Sequence, residues 1–245
     1  MKITSVNNDL IKEVAKLQQR KYRDEKKQFL LEGNKCIDEA IQYQLEIENI
    51  FVLENSGLYK EHNPIEVSES VLKKISSTSS APKTVAVAKI PQKNWSNKYN
   101  NVILLEDIKD AGNLGTILRT ACAFDVEAII LYGDTVDLYN PKCVRASVGN
   151  LWKIPVFEIS EFEDLKKKFV DYERIATLPK SKNTVWLKDF LQKGKTLVMF
   201  GTESSGLSEE LKSFATQNVT IEMSSQVESL NLSISAGIIL YKLFV

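Results

Sequence analysis

Three short stretches in the second half of the chain carry the residues that could do chemistry: NLGTILR at 113–119, FGTESSGLS at 200–208 and IEMSSQVESLNLS at 221–233. Each begins where an apolar, strand-like run ends, and each combines Gly or Ser with an amide, a carboxylate or a guanidinium. Loops of that composition converge on one ligand in open α/β domains, because the crevice lies beyond the carboxyl ends of the strands. Asn113, Arg119, Glu203, Ser229 and Asn231 are the polar candidates for holding a reacting group. Gly201, at a strand exit, permits close backbone approach. The plainer roles stay open: GNLG as a structural turn or a phosphate-holding helix start, Ser229 and Asn231 as helix caps, Arg119 as a surface arginine. A single histidine, His62, argues against a His-based triad or a multi-His metal site, so no metal is expected.

The elements that must position these residues follow from periodicity. Apolar runs at 102–105, 128–131, 155–159, 174–177, 196–200 and 219–221 read as strands, with helices at 114–124, around 162–169 and at 230–244 between or after them. Alternation of this kind implies right-handed crossovers and a mainly parallel sheet. On the terminal helix, Ile234, Ile238 and Tyr241 are expected to form the buried face. A Rossmann-type site needs a GxGxxG turn after the first strand, and neither that turn nor GxxxxGK[ST] occurs.

Ahead of this lies a smaller α/β pattern: a helix at 8–20, a strand at 29–32, a helix carrying Cys36, Ile37, Ala40 and Ile41, a strand at 50–53, a helix at 69–75 and a strand at 84–89. The polar, aperiodic stretch 93–100 reads as a linker, which divides the chain into domains at 1–92 and 101–245. Across 245 residues, 32 Lys and Arg balance 32 Asp and Glu, so any nucleic-acid footprint must be local. Residues 12–27 hold seven basic and three acidic side chains with Tyr22 among them, and Lys21, Arg23, Lys26 and Lys27 are the candidate RNA contacts. A solvated helix end would have the same composition. Three cysteines without a CxxC pair suit a reducing compartment, and the absence of a signal-like or membrane-length apolar segment points to the cytoplasm.

The order and wording of the three stretches closely resemble the SpoU/TrmH class of the SPOUT methyltransferases, which transfer a methyl group from S-adenosylmethionine to a ribose 2′-hydroxyl of RNA. The class pattern N-x-G-x-x-x-R is met by Asn113, Gly115 and Arg119, and FG-x-E-x-x-GLS by Gly201, Glu203, Gly206 and Ser208. I-x-M…SLN-x-S is met by Ile221, Met223, Ser229, Leu230, Asn231 and Ser233; Ser204 stands where the class commonly has glycine, and Glu222 where it has proline. FLLEG, within KLQQRKYRDEKKQFLLEGNKCIDEAI, is similar to the core of the substrate-binding domain fused ahead of many such enzymes.

The resemblance implies an α/β fold whose mainly parallel C-terminal sheet carries a trefoil knot, preceded by a small α/β RNA-binding domain. It implies S-adenosylmethionine on Gly201, Ile221, Met223 and Leu230. Arg119 would bind the target phosphate or ribose and assist deprotonation, with Asn113, Glu203, Ser229 and Asn231 orienting it; a guanidinium, with a pKa above about 12, is a poor base by itself. It further implies a homodimer through the C-terminal domain and favours ribosomal over transfer RNA as partner. A catalytically silent RNA-binding or ribosome-assembly protein of the same fold is the competing expectation, and base methylation a third.

Overall fold

The computed structural model describes residues 1–202, 204–224, 226–227 and 229–245. In chain order the elements are β1 (Lys2–Ile3), α1 (Asp9–Lys16), α2 (Arg20–Lys26), β2 (Gln28–Glu32), α3 (Asn34–Gln42), β3 (Ile47–Leu53), β4 (Ile65–Val67), α4 (Glu69–Ile75), β5 (Thr84–Lys89), β6 (Asn101–Glu106), α5 (Ala111–Ala123) and β7 (Ala128–Tyr132). They continue with α6 (Pro141–Ser147), β8 (Val156–Ile159), α7 (Phe162–Lys168), β9 (Glu173–Thr177), β10 (Val185–Trp186), β11 (Thr196–Phe200), α8 (Glu209–Phe214), β12 (Gln217–Thr220) and α9 (Leu232–Phe244). Two compact units result: Met1–Gln92 with Asp137–Lys153, and Lys93–Val136 with Ile154–Val245.

In the first unit the described strands form one sheet in the order β1-β4-β3-β5-β2, parallel from β1 to β3 and antiparallel from β3 to β2. The helix expected at 8–20 is shorter, and a second one, α2, begins at Arg20. α1 buries Ile11 and Val14 and ends at Lys16, where the amides of Leu17, Gln18 and Gln19 tighten onto carbonyls three residues back. The carbonyl of Leu17 then accepts from Arg23 Nη1 at 2.7 Å, so the arginine fills a helix-end acceptor.

Segment Asp137–Lys153 lies between β7 and β8 in sequence but packs within this unit. Its helix α6 starts at an Asn140 cap followed by Pro141 and lies on β2. Trp152 is buried beside Phe29, with ring centroids 6.3 Å apart. Ion pairs Arg23–Asp137, Arg145–Glu32 and Lys153–Glu39 fasten the same segment. Gly149 is required: its φ is +80°, and a Cβ would stand 2.6 Å from Glu39 Cβ.

In the second unit the described strands form a parallel sheet in the order β10-β12-β9-β11-β6-β7-β8. Val102, Leu104, Ala128, Ile130, Leu197 and Met199 face α7 and α8 through Leu165, Phe169 and Leu211. The alternate residues Ile103, Leu105, Ile129, Leu131, Val198 and Phe200 are buried as well, so both faces are covered, as parallel sheets require. α9 packs against α5, but its buried face is not the expected one. Leu232, Ala236, Ile239, Leu240 and Leu243 are buried, whereas Ile234, Ile238 and Tyr241 are 54%, 40% and 60% exposed. Both stripes are apolar, so periodicity alone could not choose between them.

Asp137 is the carboxylate that makes burial of the Arg23 guanidinium tolerable. Asp137→Ala should therefore destabilise the first unit by about 3 kcal/mol, while Asp137→Asn, keeping one acceptor oxygen, should cost less. Urea denaturation with hydrogen exchange of the β2 amides measures the difference.

Candidate functional site

β11, β9 and β12 are neighbours in the sheet, and their carboxyl ends open into one cavity of about 340 Å³. Thr177, Leu178 and Pro179 contribute from the exit of β9; Phe200, Gly201, Thr202 and Ser204–Leu207 from the exit of β11. Thr220, Ile221 and Met223 enter from β12, and Ser229, Leu230, Leu232, Ser235 and Ile239 from the start of α9 and the residues before it. The walls are mainly apolar and hydroxyl-bearing. Lys212 is the one charged side chain among the described lining residues, and it is paired with Glu209 at 2.8 Å. Gly201, Ile221, Met223 and Leu230 thus meet in one place, joined there by Ser229.

The loop after β11 explains its glycines. Thr202 and Gly206 exchange two backbone hydrogen bonds, of 3.1 and 3.0 Å, folding the loop back on the strand exit. A Cβ on Gly201 would lie 2.1 Å from the Gly206 carbonyl carbon, so this glycine is demanded by the loop's own closure, before any ligand is considered. Behind the loop, buried Glu106 at the end of β6 accepts from Ser208 N at 2.7 Å, and Ser208 caps α8. Tyr132 donates to Glu210 at 2.8 Å; burial and that bond push its phenol pKa upward. Glu203 lies outside the described residues.

The GNLG segment is helix, not a turn. α5 starts at Ala111 behind the Asp110 cap, whose carboxylate takes the Asn113 amide at 2.8 Å, so that end is already supplied with an anion. Asn113 side-chain Oδ1 accepts from Asn231 Nδ2 at 3.1 Å, linking the first stretch to the third. Asn231 Oδ1 meanwhile accepts from Ser233 N, Ser233 Oγ and Ile234 N, capping α9. Arg119 sits in the third turn of α5, exposed, with no hydrogen bond or ion pair among the described residues, and it does not line the cavity. It shares the open side of α5 with Thr116; at the end of the helix Phe124 meets Tyr241 of α9 with centroids 5.7 Å apart.

The four basic candidates of the first unit divide. Arg23 is 2% exposed, its charge spent on Asp137, so it is not a surface contact. Lys26 and Lys16 both donate to Glu13, whose carboxyl they hold down at about 2. Lys12 and Arg20 pair with Asp9 and Asp24. Lys21 and Lys27 remain exposed without a carboxylate partner among the described residues. Among those residues no group of three or more His, Cys, Asp or Glu is arranged to hold a metal ion, and no helix is long and apolar enough to cross a membrane.

Sequence reasoning missed Thr177, Pro179, Thr220, Lys212 and Ser235 in the cavity wall, and Glu106 behind it. The strand exits were legible as chain positions; their adjacency was not, because β9, β11 and β12 become neighbours only through sheet order.

Residues 100–241 match the SpoU rRNA methylase family, and residues 8–86 the MRM3-like substrate-binding domain. The chain is 34% identical to an uncharacterised tRNA/rRNA methyltransferase of Synechocystis sp., over 98% of this chain and 92% of that one. It is 27% identical to the 23S rRNA (guanosine(2553)-2′-O)-methyltransferase of Bacillus subtilis, over 98% of each. The crystal structure of the AdoMet-bound rRNA methyltransferase from Sinorhizobium meliloti superposes with a TM-score of 0.87 at 26% identity, covering 99% of this chain and 96% of that one.

Asn231 combines a cap with a bridge, and two substitutions separate them. Asn231→Ala should cost about 1–2 kcal/mol through loss of the cap. Asn231→Asp keeps an acceptor at the helix start but removes the donor to Asn113, so thermal stability should be largely retained. Paired melting curves test this.

Proposed function

The chain belongs to the SpoU rRNA methylase family, and from that premise we propose that it is an S-adenosylmethionine-dependent methyltransferase acting on a ribose 2′-hydroxyl of RNA, with ribosomal RNA favoured over transfer RNA. The observation that carries the reading is the meeting of Gly201, Ile221, Met223 and Leu230 in one cavity at three adjacent strand exits. The cavity fits the cofactor. Its volume is in the range of small-molecule sites, about 300–1,000 Å³, and its apolar walls suit an adenine. The hydroxyls of Thr177, Thr202, Ser229 and Ser235 are of the type that holds a ribose.

When bound, S-adenosylmethionine supplies an electrophilic methyl carbon, so the hard chemistry is the cofactor's. What remains for the protein is positioning, worth roughly 7–11 kcal/mol in favourable intramolecular cases. Backbone at Gly201, Ile221 and Leu230 holds the donor, with Met223 against it. Arg119, exposed and without an ion pair among the described residues, takes the target phosphate or ribose; Asn113, Ser229 and Asn231 orient the acceptor, as does Glu203 by its place in the second stretch. Lys21 and Lys27 offer the first unit's phosphate contacts. The family reading also implies a trefoil knot formed by the second and third stretches and a cytoplasmic setting.

The exposed stripe Ile234, Ile238, Tyr241 and Val245 supports a homodimer through α9, since an apolar row on a helix flank is the kind of surface a second copy covers. α5, which carries Arg119, packs against α9, so a dimer through α9 would bring the second copy towards that helix. Ile238→Glu should shift sedimentation from dimer to monomer and lower methyl transfer; an unchanged dimer would discount α9 as the contact.

Transfer of label from methyl-tritiated S-adenosylmethionine to RNA, with mapping of alkali-resistant 2′-O-methyl linkages, tests the function. Arg119→Ala should reduce single-turnover transfer by about 100-fold or more at saturating S-adenosylmethionine with cofactor affinity unchanged. Arg119→Lys should recover little, because lysine keeps the charge but lacks the planar fork. Near wild-type transfer by the alanine variant would remove Arg119 from the mechanism.

A further inference from the structure

We infer that the exposed turn 179–183, carrying Lys180 and Lys182, is a second contact for the RNA backbone, placed on the rim of the cavity. The inference rests on the methyltransferase reading and deepens it by locating where RNA lies on the second unit.

The turn is tied to the cavity twice. Leu178 and Pro179 line the wall directly, and the Leu178 amide donates to Val219 O at 3.0 Å. Beyond the turn, β10 pairs with β12 in the register Trp186↔Thr220, and Thr220 is itself a wall residue. Lys180 Nζ lies 4.8 Å from the centroid of the Trp186 ring, which fixes the lysine beside the rim. Between these ties the turn is ordered: Thr184 Oγ1 donates to Ser181 O at 2.9 Å and accepts from Ser181 N at 3.0 Å, and Asn218 Nδ2 donates to Asn183 O.

Among the described residues its charge is uncompensated. Residues 178–195 contain five lysines and one carboxylate, Asp189, in a chain whose net charge is zero. Lys188 is neutralised by Glu222, and Lys195 donates to Asn97 O. Lys180 and Lys182 are exposed with no carboxylate partner among the described residues. A ring under an ammonium orders the side chain without cancelling its charge, whereas an ion pair cancels it. A ribose hydroxyl that approaches a donor in the cavity brings its flanking phosphates to the cavity mouth, and phosphates are what the two exposed ammonium groups on this rim recognise.

The test uses the full chain and protein-free large-subunit ribosomal RNA from cells lacking the gene. The double variant Lys180→Gln, Lys182→Gln should bind that RNA roughly tenfold more weakly, and the slope of log K against log salt should shrink by about 0.7–0.9 per lysine. S-adenosylmethionine affinity and melting temperature should not move. Lys73→Gln, an exposed lysine of α4, serves as control. RNA affinity and slope equal to wild type in the double variant, or an equal fall in the control, would overturn the rim contact. Label transfer by the wild-type chain is read on the same RNA: its absence overturns the methyltransferase reading and the rim with it, whereas transfer by wild type with unchanged binding by the double variant overturns the rim alone.

Discussion

The side-chain amide of Asn231 holds the second unit's site together. Its oxygen accepts from the first amides of α9 and its nitrogen donates to Asn113 on α5, so one group fixes both where the last helix begins and which turn of α5 it faces. What the start of α9 and the residues just before it give the cavity depends on that starting point. Ser229 and Leu230 precede it, and Leu232, Ser235 and Ile239 follow within two turns. A helix begun one residue later would rotate by about 100° and carry Ser235 and Ile239 out of the wall. Capping and site-building are thus the same interaction, and the helix-cap and ligand-site readings of this asparagine do not compete.

Much of the fold was legible because its strands are buried on both faces. Runs such as 102–105 and 196–200 have no polar alternation to confuse, and the strand 196–200 was read to the residue. α9 shows the limit of the same signal: uniform apolarity says helix but not which side is inside. The excursion Asp137–Lys153 was not legible, since its partners Arg23, Glu32 and Glu39 lie about a hundred residues away and no local rule connects them. Only the Asn140–Pro141 helix start could have been found.

The site was legible by type and not by geometry. Gly201 was read as room for a ligand, but its missing Cβ is first required by the return of Gly206 onto the strand exit. Glu106 left no mark in the sequence, because a carboxylate at a strand end looks like any surface acid until the Ser208 amide is seen upon it. Sheet order, which sets β9 between β11 and β12, turned three separate strand exits into one wall.

Charge follows the same logic. A balance of 32 against 32 conceals which cations are available, because a lysine already facing a carboxylate has little field left for a phosphate. In 12–27, five of the seven basic side chains are answered by Asp9, Glu13, Asp24 or Asp137, and counting them all overstated the footprint. Lys21 and Lys27 survive that subtraction in the first unit, as Lys180 and Lys182 do in the second. A neutral chain can therefore bind a polyanion without a basic domain, provided its carboxylates are kept on the lysines that RNA does not meet and away from the few that it does.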